Sequence, residues 1–416
     1  MVDDDSVEYP TCWVGKFNKN IMKQFLSIIL WIVWAGGGWC QSVWDLNHLR
    51  QVKQSVENPS YEEAFRALCR EADKMLGQPP VSVMMKDKVA ASGDKHDYLS
   101  QARYVWPDPT KPDGLPYVHR DGVTNPEIQR LDRPRLGQMS HRVVTLTLAW
   151  YFSGKEQYAQ EAARQLRAWF LNRATRMNPN LNYAQVVPGE NQGKGRCYGL
   201  IDSYSFVEML DAVQLLEQSR AWTAADSRRL KRWFRNFAQW MTTSPQGREE
   251  NATGNNHSIA YDAQLIAFSL YAGRGEDAHR ILGQFAERRL RPQIRPDGSQ
   301  PHELRRTLAY HYSWYNLNHI IDILLMARHQ GVDIGEEELC YKALDFLCPY
   351  VGQDRSSWPY QQISGWDEAV QHLLADLYRA ATLLPVGDAR SRHYLRLCEA
   401  HLVVHPADRF QLLYAR

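Results

Sequence analysis

From Gly137 onward apolar residues recur at intervals of three and four, the spacing that lines one face of an α-helix. The pattern predicts helices over 139–152, 155–171, 200–218, 224–241, 257–271, 276–290, 303–330, 337–347, 366–384 and 389–401. Strand-type alternation is scarce, and Gly, Pro, Asn or Asp stands at most junctions. Short connections between successive helices predict antiparallel hairpins. The missing fixed period argues against a solenoid. The expected fold is all-α: an (α/α) toroid, an incomplete barrel of helical hairpins, forming one domain over 41–416.

Two stretches depart from this pattern. Lys16, Lys19 and Lys23 precede the apolar run FLSIILWIVWA from Phe25 to Ala35, and Gly36-Gly37-Gly38 follows it. A basic head, a short apolar core and a small-residue exit predict a secretory signal over 1–40. In that reading Met22 is the start and the preceding residues are an upstream extension. The run is shorter than the roughly 18 residues a membrane span needs, so an exported protein, periplasmic or secreted and without stable membrane insertion, is expected. The second stretch, Tyr98 to Arg135, is dense in prolines and aromatics. Tyr98, Tyr104, Trp106 and Tyr117 are costly to leave in water, so residues 96–135 read as a lid or cleft wall.

The chain has 416 residues and a formal net charge of +2. Removing 1–40 takes away four acids and three lysines, which leaves +3. That small excess argues against a nucleic-acid binder. Past residue 40 five cysteines remain, Cys69, Cys197, Cys340, Cys348 and Cys398. They form no disulfide framework and no CxxC zinc pattern, and they read as buried thiols, with a Cys340–Cys348 bridge as the alternative. No metal and no cofactor is expected.

Chemistry concentrates in separated polar segments. GNNHSIAYDAQ, from Gly254, sets two amides and an imidazole at a helix start. A capping Asn and a solvated His explain it as well as a reacting pair does, with His257, Tyr261 and Gln264 sharing a polar face. MNPNLNYAQVVPGENQGKGRCYG, from Met177, and RPDGSQPHELRRTLAYHYSWYNL, from Arg295, place Asn, Gln, Arg and Tyr where they can converge on a cleft. With 14 tryptophans and 21 tyrosines in the chain, flat faces beside amides and arginines suit sugar rings.

Together with HDYLSQARYVWPDPTKPDGLPYVHRDGVTNPE, from His96, and GRCYGLIDSY, from Gly195, these segments resemble the alginate lyase superfamily of helical-toroid polysaccharide lyases. The resemblance runs from about His96 to Leu317. Within it the chain is similar to the single-domain lyases that act on alginate or glucuronan. The resemblance implies cleavage of a uronic-acid polymer by β-elimination, with Asn256, His257, Arg306 and Tyr312 as the catalytic group. Asn256 and Arg306 neutralise the C6 carboxylate, Tyr312 moves the proton, and His257 assists or replaces it as base. Tyr98, Trp106, Asn178, Gln192, Arg196, Glu250, Asn255, Arg305 and Tyr310 are candidates for substrate contact. One point of geometry is open: on a regular helix Arg306 and Tyr312 point about 120° apart. Arg305 and Tyr310 are therefore reserve choices.

Glu249, Glu250 and Glu303 read as partners that orient the arginines, and His302, His311 and His319 as cap or core residues. Two rival readings are a glycoside hydrolase using a carboxyl pair, Glu250 with Asp262 or Asp297 with Glu303, and a non-catalytic glycan-binding protein.

Overall fold

A helix that is apolar on all sides must be enclosed, whereas one with a single apolar stripe can lie outside, and this chain supplies both kinds. The computed structural model describes residues 42–405 and 407–414; the signal segment expected over 1–40 lies outside them. The helices are α1 (Leu46–Gln54), α2 (Pro59–Asp73), α3 (Asp132–Ser153), α4 (Glu156–Leu166), α5 (Phe206–Leu216), α6 (Ala224–Thr243), α7 (Pro245–Asn251), α8 (Asn256–Tyr271), α9 (Gly275–Leu282), α10 (Pro301–Leu304), α11 (Ala309–His329), α12 (Glu338–Leu347), α13 (Trp366–Leu383) and α14 (Ala389–Val404), with short 3₁₀ and π turns between them.

α3, α5, α8, α11 and α13 pack each on the next and form an inner ring. α2 and α4 lie on α3, α6 and α9 on α8, α12 on α11 and α14 on α13. The result is a toroid of helical hairpins. In α8 every residue except His257 is buried. The polar face expected for Tyr261 and Gln264 is therefore not solvated: Tyr261 donates to the Met241 carbonyl, and Gln264 accepts from Ser203 Oγ. Outside, α6 opens with a Thr223–Asp226 capping box and keeps its arginines in water. Phe170, Phe206, Trp233, Phe234, Phe237 and Phe268 interlock between inner and outer layers with ring centroids about 5–6 Å apart. Much of the aromatic content thus serves packing.

α1 and α2, not foreseen from the pattern, fix the start of the described chain. Asp211 of α5 accepts three backbone N–H groups, from Ser42, Val43 and Trp44. The five cysteines among the described residues are free thiols, Cys340 and Cys348 included. No helix among the described residues is long and apolar enough to cross a membrane.

Residues 96–135 are more ordered than the expected irregular wall. β1 (Leu99–Gln101) pairs in parallel with β4 (Tyr183–Val186), and β2 (Val105–Trp106) pairs antiparallel with β3 (Val118–His119). The helix expected over 303–330 is broken. Leu308 forms an antiparallel bridge with Gln362, flanked by Ala309 N–H to the Gln361 carbonyl and Ile363 N–H to the Thr307 carbonyl. The backbone at 307–309 is claimed by that bridge, so α10 stops at Leu304 and α11 starts at Ala309.

Candidate active site

Three helix starts, those of α3, α8 and α11, meet at one face of the ring. A cleft of about 600 Å³ is lined there by Arg133 at the start of α3, by Tyr198 and Ile201 leading into α5, by Asn256 and His257 opening α8, by His311 and Tyr312 in the first turn of α11, and by His372 of α13. Helix N-termini carry partial positive charge that adds to the pull on an anion, while the first N–H groups of α8 and α11 are already taken by Glu303, Asn255, Gln361 and Gln362. Four arginines, Arg103, Arg133, Arg196 and Arg306, line the cleft against one carboxylate, Asp121. The Nε atoms of Arg103 and Arg196 are buried with no hydrogen-bond partner, a cost that suits donors awaiting a ligand.

The amide at the start of α8 is held from behind. Asn255 is the helix cap, accepting from His257 N–H at 3.3 Å. Asn256, fully buried, donates its backbone N–H and its Nδ2 to the two oxygens of Glu303, each at 2.8 Å. Glu303 is itself buried, which raises its carboxyl pKa, with the Asn256 donors pulling the other way. One amide hydrogen and Oδ1 of Asn256 are left, and Oδ1 has no partner. His257 Nδ1 lies 2.7 Å from Glu250 Oε1, with Glu250 1% exposed. With Nδ1 on Glu250, Nε2 is the ring nitrogen left for the cleft that His257 lines. Tyr198 lies over the imidazole with ring centroids 4.8 Å apart.

The broken helix resolves the Arg306 geometry. Arg306 sits in the interruption, outside any helical register, and its guanidinium lies 3.7 Å from the Tyr312 ring centroid. Asp121 holds it at 2.6 and 3.2 Å and also accepts from the Thr307 hydroxyl and N–H. Burial alone would raise the Asp121 carboxyl, but Arg306 and Thr307 outweigh it and bring the pKa down to about 2. Gly122 permits this approach: at φ +76°, a Cβ there would meet Thr307 Oγ1 at 2.6 Å. The Tyr312 hydroxyl donates to the Tyr104 hydroxyl at 2.9 Å. Burial pushes the Tyr312 phenol well above its ordinary range, Tyr104 adds to the rise, and Arg306 opposes it.

Asn256, His257, Arg306 and Tyr312 therefore share one cleft, and Arg196 and Asn255 line it with them. Arg196 donates to Gln185 Oε1 at 3.2 Å. Gln185 sits at φ 51°, a left-handed conformation rare for a non-glycine residue. Glu250 does not line the cleft but braces His257.

The other candidates lie elsewhere. Tyr98 is fully buried and donates to Asp202. Trp106 closes the β2–β3 hairpin, donating to the Val123 carbonyl under Arg120. Asn178 donates to Asp94 and Asp97, and Gln192 is exposed in a loop. Arg305 points to solvent. Tyr310 is buried between Trp358 and Trp366, its hydroxyl on the Leu347 carbonyl. Glu250 and Glu303 orient the imidazole and the amide rather than arginines.

Residues not foreseen as contacts include Arg103, Arg133, Asp121, Tyr104, Trp314 and Tyr315. Their signal was present: Arg103-Tyr104 precede the first hairpin strand, and Trp314-Tyr315 follow Tyr312 by two and three positions. His311, expected as a cap or core residue, faces the cleft, and burial with His372 and Arg103 nearby pushes its pKa down to about 4. His319 is fully buried. Among the described residues no three His, Cys, Asp or Glu side chains gather as a metal site.

The family model described as alginate lyase matches residues 82–358. An alginate lyase from Bacteroides ovatus is 44% identical, over 90% of this chain and 98% of its own, with a TM-score of 0.86. Alginate lyase A1-III from Sphingomonas species A1 is 16% identical, over 82% of this chain and 92% of its own, with a TM-score of 0.46. Among curated proteins none matches.

Proposed function

Since the chain belongs to the alginate lyase family and is a uronan polysaccharide lyase, we propose that it cleaves mannuronate-containing alginate or glucuronan with Tyr312 as base and then acid. The observation that supports this reading is the Asn256, His257, Arg306 and Tyr312 cluster in one cleft with Arg103, Arg133 and Arg196.

In β-elimination the C5–H bond breaks, a C4=C5 double bond forms and the C4–O4 bond breaks, with a proton delivered to O4. The C5 proton beside an ionised carboxylate is too weak an acid for a side chain unless the charge growing on that carboxylate is met in the transition state. Arg306 keeps Nη1 free of Asp121, and Asn256 keeps one amide hydrogen free of Glu303. Both are held before substrate arrives, so little reorganisation is needed.

In mannuronate and glucuronate the C5 proton and O4 are open to one group on the same side of the ring. Tyr312 takes the first proton and returns one to O4. Arg306 against the ring stabilises the phenolate, and the Tyr104 hydroxyl can turn from acceptor to donor toward it. His257, its tautomer set by Glu250, accepts the phenol proton beforehand or serves as base where the C5 proton lies on the other side.

A two-carboxyl hydrolase fits poorly. Asp262 is locked to Arg289 at 2.7 and 3.0 Å, and Glu250 and Glu303 stand behind His257 and Asn256.

Tyr312→Phe keeps the ring and removes the proposed acid and base, so turnover should fall by about 10³–10⁴-fold or more with the fold intact. Tyr310→Phe should be mild. Near-normal turnover of Tyr312→Phe, measured on the same polymer, would contradict the assignment.

A further inference from the structure

We propose a second uronan-binding site on the outside of the toroid, apart from the catalytic cleft, where the loop Arg176–Pro179 meets α6. The inference rests on the uronan reading above. A cavity of about 190 Å³ there is lined by Arg176, Arg229, Arg232, Asn178 and Asn236 around a floor that includes Trp233 and Pro179. The three arginines are exposed, and none has a carboxylate partner among the described residues. Arg164 and Arg167 nearby in sequence are, by contrast, paired with Glu161 and Asp226.

The site is built before any ligand arrives. Trp233 Nε1 donates to the Met177 carbonyl at 2.9 Å, Met177 N–H to the Trp169 carbonyl at 2.7 Å and Asn178 N–H to the His96 carbonyl at 3.0 Å. Arg229 reaches back to the Leu171 carbonyl. Asp94 and Asp97, the carboxylates that meet this loop from the segment before β1, are engaged by Asn178 and do not line the cavity. Planar cationic forks beside Pro179 and the edge of Trp233, whose ring is packed against Phe170 and Phe237, match the carboxylate of a uronate ring.

The cavity is smaller than the roughly 300–1,000 Å³ of an enclosed ligand site, so it suits one ring of a polymer. From Asn178 the chain enters β4 and reaches Gln185, which lines the cleft, in seven residues, a separation of at most about 25 Å. A long chain can therefore engage both sites, and the outer one raises its local concentration at the cleft.

The test is the double variant Arg176→Gln/Arg232→Gln, which spares the Arg229 contact. It is compared with the wild type by native electrophoresis in gels containing the uronan that the wild type cleaves, and by KM on that polymer and on its tetrasaccharide. Exposed arginine–carboxylate pairs are individually weak, so polymer KM should rise roughly 3- to 30-fold with weaker retardation. Tetrasaccharide kinetics should hold. Unchanged polymer KM and retardation would overturn the second site while leaving the lyase reading intact. A wild type that neither binds nor cleaves any uronan would instead overturn the substrate reading and this inference with it. Should the double variant melt earlier than the wild type, Arg232→Glu alone, at an exposed position, carries the same comparison.

Discussion

Each side chain proposed to react in the cleft is held by a partner, and most of these partners are distant in sequence. Glu303 clamps Asn256 across 47 positions and Asp121 clamps Arg306 across 185. Glu250, seven residues before His257, fixes the imidazole. Glu250→Gln preserves shape and removes charge, so kcat should fall roughly 10–10²-fold with KM less affected, as for other groups that set a working imidazole. An unchanged kcat and pH profile would reduce Glu250 to packing. Asn256, His257, Arg306 and Tyr312 were legible because each sits in a distinctive run of polar residues. Their partners were not, since a glutamate beside an arginine in sequence says nothing of an amide across the ring. Tyr98, Trp106 and Tyr310 lie away from the cleft lining for a related reason: a large aromatic in a polar stretch satisfies a core or a hairpin as readily as it meets a sugar.

At the scale of elements, the break between α10 and α11 decides the site. Helical periodicity ran through 303–330 because Leu304 and Leu308 keep a spacing of four that continues to Tyr312 in α11. The bridge from 361–363 that interrupts them is a long-range pairing with no local signature. It frees Arg306 from helical register, and Asp121 then fastens it to the wall. The folded-state pKa of Asp121 is depressed from 3.8 to about 2, so the stabilisation is fully present above about 3.8 and is lost as pH falls through about 2. Asp121→Asn should therefore melt earlier than the wild type at neutral pH, and the gap should narrow as pH approaches 2. Thermal melts across that range check it, and a gap independent of pH would mean that the carboxylate charge contributes nothing.

For the whole molecule, the toroid was readable from its pattern because ten helical stretches joined by short connections, with no fixed period, favour a ring of hairpins over a solenoid. The convergence of helix N-termini on one face was not readable, since it depends on how hairpins close in space. We propose further that 1–40 directs export, on the basic head and apolar run before Gln41; protein recovered from the producing cell should begin near Gln41, and an intact 16–35 segment would refute this. The central claim is that bonds in a uronan are broken by elimination. Purified wild type should be given poly-mannuronate, poly-guluronate and glucuronan, with new reducing ends and new ultraviolet absorbance counted together. The account predicts one absorbing unsaturated end for each bond broken on poly-mannuronate or glucuronan; reducing ends that appear without absorbance would mean hydrolysis and would contradict it.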